Sequence, residues 1–191
     1  FFGNKLITTG EGGMLLTNNK EFFNHINLLK NHGMNAEKRY WHEVIGTNAR
    51  MTNLQAAIGL GQLENLEKVI KKKREIHDIY LQNLIPLESK LTIWHEPSNV
   101  NSSYWLNTIN IKKEIHLDRL LKNALKNNID FRRCFYPMNY LPAFRKYANK
   151  EFDYSQSSII FKQLICLPSG LNLEPDQITA VCEIIYSSTK S

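Results

Sequence analysis

Lys5 is the first side chain in the sequence with both reach and nucleophilic chemistry. It stands before the β-prone run Leu6-Ile7-Thr8-Thr9, and the glycine cluster Gly10-Glu11-Gly12-Gly13 follows. An unprotonated lysine amine attacks carbonyl carbon and relays protons; on position alone, an ordinary solvated lysine is the alternative. The glycines permit positive φ and close backbone approach. They lack the Lys-Ser/Thr of a P-loop and the spacing of a dinucleotide fingerprint. Asn48 and Arg50 lie in Gly46-Thr47-Asn48-Ala49-Arg50-Met51, just ahead of a helix start, where backbone amides and the helix dipole attract anions. A turn-forming Asn beside a surface Arg is the plainer account. Cys134, Cys166 and Cys182 are widely spaced and show no metal-ligand pattern with histidine. No metal is expected, and the thiols read as free in a reducing cytoplasm.

Several elements must hold these groups. Stretches 6–9 and 14–17 flank the glycines and predict a hairpin within residues 5–18. Phe22, Phe23, Ile26 and Leu29 are spaced for a helix over 20–31, closed by His32-Gly33 with Gly33 past its end. Residues 34–47 predict a polar loop with Tyr40-Trp41-His42 at its middle, aromatic side chains that must pack or bind. Thr52-Asn53-Leu54-Gln55 is a capping box. Apolar residues from Leu54 to Leu84 predict one helix of about 30 residues and about 45 Å, long enough to link two domains or cross a subunit boundary. Gly59 and Gly61 within it imply close packing or a bend. Further on, strands are expected at 103–111 and 129–137, and helices at 117–127, with Leu117, Leu120, Leu121 and Leu125 on one side, at 155–165, and at 175–187, with Ile178, Val181, Cys182 and Ile185 inward. Domains 1–85 and 86–191 follow from this pattern, the second a compact α+β cap.

Composition narrows the function. The chain has 191 residues, 42% hydrophobic and 22% charged, which excludes a disordered tail or a disulfide-stapled miniprotein. No apolar run reaches the ~18 residues a membrane span needs, so no membrane partner is expected. The net charge of +6 is dispersed. Its one dense run, Lys71-Lys72-Lys73-Arg74, sits in a helical pattern and reads as a solvated face rather than a phosphate-binding patch; no nucleic-acid partner is expected.

Taken together, Phe1-Phe2-Gly3-Asn4-Lys5, Gly10-Glu11-Gly12-Gly13-Met14, Asn31-His32-Gly33 and Gly46-x-Asn48-x-Arg50-Met51-Thr52-Asn53-Leu54-Gln55-Ala56-Ala57-Ile58-Gly59 cease to be generic. They resemble the DegT/DnrJ/EryC1/StrS family, pyridoxal-phosphate sugar aminotransferases of fold type I, and most closely its perosamine-forming branch. Arg132-Arg133-Cys134-Phe135-Tyr136-Pro137-Met138-Asn139 and Leu167-Pro168-Ser169 extend the resemblance over the whole chain. It implies an α/β fold, α+β in this portion, with the end of the cofactor-binding domain joined by a long helix to a small domain. The implied reaction moves an amino group, from a donor such as glutamate, to C4 of a 4-keto-6-deoxy nucleotide sugar for cell-surface polysaccharide or lipopolysaccharide. The implied enzyme is a cytoplasmic homodimer.

By position, Lys5 matches the lysine that binds the cofactor and shuttles the proton, an amine whose pKa must be lowered by desolvation and nearby positive charge. The family's dehydratase members carry histidine there. Asn48 matches the residue that reaches the cofactor phosphate across the dimer. Arg50, His32, Arg132 and Tyr136 are substrate-facing candidates, with a structural role equally open for Arg50; His32, Trp41 and His42 border the active site in such enzymes, and structural roles are the plainer reading for these three. Met138-Asn139 departs from the family's Tyr-x-Pro-Leu-His. The family's ring-pairing aspartate, stacking aromatic and phosphate-binding residues lie well before the lysine, and none occurs here. The chain is therefore expected to be the C-terminal half of such an enzyme. A catalytically incomplete oligomerisation or interaction module is the other reading.

Overall fold

The computed structural model describes residues 1–112 and 115–189. The chain divides into two compact units, residues 1–67 and residue 68 onward.

The first unit holds two helices, α1 (Lys20–Lys30) and α2 (Asn53–Leu63). Asn19 caps α1 by accepting from the Phe22 amide at 3.0 Å. The expected Gly33 terminator is present, at φ +65, and a Cβ there would overlap the Val44 carbonyl. The capping box is also formed: Thr52 Oγ1 accepts from the Gln55 amide at 3.2 Å, and Gln55 Oε1 accepts from the Thr52 amide at 2.9 Å.

Two expectations fail in this unit. Residues 5–18 run as bends and irregular backbone with no hairpin. Gly10 and Gly12 sit at φ +79 and +131, which folds the backbone away from extended geometry. Thr8 spends both main-chain groups on one side chain: its amide donates to Gln62 Oε1 at 3.0 Å, and its carbonyl accepts from Gln62 Nε2 at 2.6 Å. The single long helix is two. Asn65 Nδ2 donates to the Gly61 carbonyl at 3.0 Å and Asn65 N–H to the Gln62 carbonyl at 3.1 Å. A side chain that competes for ladder acceptors ends the helix there, and α3 (Leu66–Leu84) starts afresh. Gly59 does mark close packing, since a Cβ would lie 2.8 Å from Thr9 Cγ2, whereas Gly61 faces open space.

The second unit is an antiparallel sheet ordered β1-β2-β4-β3, made of β1 (Leu91–Ile93), β2 (Asn107–Ile111), β3 (Arg132–Arg133) and β4 (Leu164–Leu167). Its further helices are α4 (Leu117–Lys126), α5 (Ser155–Gln163) and α6 (Pro175–Thr189). Period-2 alternation buries Asn107, Ile109 and Ile111 on one face of β2. Ile109 opposes Ile93 on one side and Ile165 on the other. Ile76, Tyr80 and Leu84 of α3, Leu120 and Ala124 of α4, and the expected Ile178, Val181, Cys182 and Ile185 of α6 complete one core. Leu125 is exposed and Ala124 takes the inward position, because the buried stripe runs one residue earlier. β2 begins later than expected. The strand expected over 129–137 contracts to two residues, since its partner β4 is only Leu164–Leu167 and starts straight after α5, opposite Cys134. Three-residue β1 is too short for alternation to reveal.

Candidate functional site

Lys5 lies in a tight turn, its amide donating to the Phe2 carbonyl at 3.0 Å. The side chain is exposed. The turn is tied to α2 through the Thr8–Gln62 pair, and Thr9 N–H donates to the Phe1 carbonyl at 3.0 Å.

Asn48 is positioned by a different anchor. It forms an isolated antiparallel bridge with Asn31 at the end of α1. His32 N–H donates to the Thr47 carbonyl at 3.0 Å, and Ala49 N–H to the Lys30 carbonyl at 3.0 Å. Asn48 Oδ1 accepts from the Arg50 amide at 3.3 Å. That bond occupies the amide's acceptor end, so Nδ2 keeps its donors for another group. The same bridge brings His32 beside Asn48. His32 sits at φ +61 with its carbonyl 2.9 Å from His42 Nδ1, so here its backbone shapes the loop. Arg50 lines a cavity of about 660 Å³ with Lys30, Asn31, Asn35 and Glu43. Among the described residues, neither Arg50 nor Lys30 forms an ion pair. Trp41 packs under the Lys38 ammonium, 3.6 Å from the ring centre.

Arg132 and Tyr136 belong to the second unit and are exposed. The Arg132 guanidinium lies 4.9 Å from the Phe135 ring centre, and Tyr136 packs on Phe161 with centroids 4.5 Å apart. Of Met138-Asn139, the pair that departs from Leu-His, Met138 is exposed and Asn139 half-buried. Among the described residues, no cluster of three or more His, Cys, Asp or Glu is arranged for a metal, and no helix is long and apolar enough to cross a membrane.

The basic run of α3 corrects the sequence reading. Lys73 is buried, its ammonium donating to the Trp105 carbonyl at 3.3 Å and to the Ser169 carbonyl; burial lowers its pKa. Arg74 makes a bidentate pair with Glu96, both bonds 2.9 Å. That hydrogen bonding pulls the Glu96 carboxyl down to about 2. A titration of Glu96 by carboxyl NMR should show that midpoint, and Arg74→Met should return it toward the ordinary carboxylate range.

Sequence reasoning also missed a polar stripe one turn at a time along α3. Lys73 and Tyr80 reach the Leu167-Pro168-Ser169 segment directly, Tyr80 Oη donating to the Pro168 carbonyl at 2.9 Å. His77 reaches it through Asn107, its Nδ1 3.0 Å from Asn107 Oδ1. Asn107 N–H and Nδ2 donate to Ser169 Oγ at 2.9 and 3.3 Å, and Ser169 Oγ–H donates to the Leu167 carbonyl at 2.9 Å. This chain of donors leaves Asn107 Oδ1 as an acceptor, so His77 carries its proton on Nδ1. Tyr104 stacks on the imidazole at 3.7 Å. Burial, the largest influence, lowers the His77 pKa. The unfolded chain therefore takes up a proton near pH 6.5 while the folded chain does not. Stability is full above that pH and falls as pH drops through about 6.5 toward the lower folded value. Urea midpoints measured between pH 7.5 and about 5 should fall in the parent and flatten in His77→Gln.

The arrangement of these elements is an aminotransferase fold. It superposes on the aminotransferase TlmJ from Streptoalloteichus hindustanus with a TM-score of 0.86 at 20% identity, over 97% of this chain and 49% of that one. The chain belongs to the DegT/DnrJ/EryC1/StrS aminotransferase family, whose sequence profile matches residues 1–186. GDP-perosamine synthase from Vibrio cholerae is 42% identical over 188 residues, covering 97% of this chain and 50% of that protein. The enzyme of the same name from Escherichia coli O157:H7 is 38% identical, covering 97% and 49%. The chain thus spans about half the length of the curated relatives it matches. Aminotransferases of this family use pyridoxal phosphate.

Proposed function

We propose that this chain is the lysine-bearing part of a pyridoxal-phosphate aminotransferase that aminates a 4-keto-6-deoxy nucleotide sugar, with glutamate as donor. The observation that carries the reading is Lys5 in its turn, in a chain 42% identical to a GDP-perosamine synthase. Residues 1–85 contribute the end of the cofactor-binding domain, and 86–191 the small domain. The product serves cell-surface polysaccharide or lipopolysaccharide, and the enzyme works as a cytoplasmic homodimer.

The donor set fits the cofactor. Lys5 offers a primary amine to an aldehyde. Asn48 offers an amide donor to a phosphate without burying a charge. When bound, pyridoxal phosphate supplies an electron sink for negative charge developing on the donor's α-carbon. Lys5 Nζ would hold the cofactor, carry a proton from the donor's α-carbon to the cofactor's C4′, and in the second half-reaction carry one from C4′ to the sugar C4, general acid–base work typically worth about 10²–10⁴ in rate. Asn48 orients the phosphate end, and Arg50, His32, Arg132 and Tyr136 face the anionic sugar nucleotide.

The interaction-module reading has one observation in its favour. Every buried hydrophobic residue among the described residues lies between Ile76 and Ile185, and the first unit exposes Leu15, Leu16, Ile45, Leu54 and Leu60. Such a unit needs covering. One experiment separates the two readings: glutamate and a GDP-linked 4-keto-6-deoxy sugar are supplied to the chain alone and to the chain mixed with the N-terminal half of the Vibrio cholerae relative. Transfer in either sample, lost with Asn48→Asp through repulsion of the phosphate, supports the enzyme. Stable association without transfer supports the module.

A further inference from the structure

We propose that Cys134 and Cys166 form a dithiol modification site at the edge of the second unit's sheet, closed by a peroxide to an intramolecular disulfide and reopened by a thiol reductant. The strand register brings the pair together. β3 and β4 are antiparallel, with Arg132 opposite Cys166 and Arg133 opposite Ile165. Cys134 continues β3 by one more bond, its amide donating to the Leu164 carbonyl at 3.3 Å. Side chains two apart along a strand share a face, so Cys134 is the diagonal neighbour of Cys166. The Cys166 thiol interacts with both the Cys134 thiol and the Arg132 guanidinium. Cys182, the remaining cysteine, is buried on α6.

Exposure divides the labour. Cys134 is half-buried and open to reagent, and Cys166 is 3% exposed. Peroxide transfers an oxygen to Cys134, giving sulfenic acid and one water. Cys166 sulfur then attacks the Cys134 sulfur; the S–O bond breaks, and the departing hydroxide takes the Cys166 proton as a second water. Two thiols lose two electrons, and the peroxide gains them. Burial pushes the Cys166 thiol up, and Arg132 opposes that in part by favouring negative charge on its sulfur, so the proton leaves with the hydroxide rather than before attack. Diagonal Cα atoms lie about 7–8 Å apart in antiparallel sheets, just beyond the ~6.8 Å limit for a bridge. β3 is a two-residue edge strand paired on one side only, so it can close that gap. The cross-link would fix Arg132, a substrate-facing candidate, against β4.

The test is one equivalent of hydrogen peroxide on the folded 191-residue chain, followed by alkylation, intact mass and a non-reducing peptide map. The expected result is loss of two hydrogens, a single Cys134–Cys166 linked peptide, and full reversal by dithiothreitol, with no such peptide in Cys134→Ser. Hydrogen exchange at the Cys134 amide should slow about tenfold in the oxidised form as the edge is pinned. Accumulation of sulfinic acid on Cys134, a linkage that includes Cys182 or a second chain, or unchanged exchange at the Cys134 amide overturns the proposal. The map of the parent protein needs no variant to fold, and none of these readouts depends on amino transfer.

Discussion

Borohydride added to the complemented assembly, this chain with the relative's N-terminal half, loaded with pyridoxal phosphate should fix the cofactor on Lys5 and nowhere else in stoichiometric yield. Digestion and mass spectrometry locate the labelled peptide. In Lys5→Ala the label disappears, and amino transfer in the complemented assay falls by about 10²–10⁴ or more, because the group that holds the cofactor and moves the proton is gone. Lys5→Arg should fare no better, since a guanidinium cannot deprotonate. A stoichiometric label on another lysine, or transfer that survives Lys5→Ala, would defeat the assignment. The result does not depend on the sugar or the nucleotide, so it tests the chemistry separately from the substrate.

The second large effect is on stability. Asn107 is 1% exposed and joins His77 to Ser169. Asn107→Ala leaves the His77 Nδ1 proton buried without an acceptor, strips one donor from Ser169 and opens a small cavity. Each orphaned group costs about 1–3 kcal/mol, and the total should be about 3 kcal/mol. That lowers the urea midpoint of the second unit by about 1–2 M. Asn110 lies on the same strand, and its Oδ1 is buried without a partner among the described residues. Asn110→Val therefore removes an unsatisfied acceptor and adds a strand-favouring side chain, so the midpoint should hold or rise. Two asparagines three residues apart thus predict opposite signs, and equal losses from both would refute the network.

What could be read from sequence follows from how local each signal is. The capping box, the Gly33 terminator and the inward face of α6 depend on residues within one or two turns, and all three are present. The Lys5, Asn48 and Arg132 segments were legible because their residue order matches a family, and the family is confirmed. The hairpin failed because Thr8 bonds Gln62, 54 residues away. The long helix failed because Asn65 carries a competing amide, which an apolar pattern does not register. The buried Lys73 was hidden for the same reason: only the folded Trp105 and Ser169 carbonyls turn a basic run into one interior cation beside an ion-paired Arg74.

That interior ammonium has a use. Lys71, two residues earlier, is exposed, so an acylating reagent modifies it at once. It reaches Lys73 only after α3 has come away from the segment that shields it. The ratio of the two acylated products over time is then an internal clock for opening of the second unit, written into the protein's own amines and readable without any added probe group.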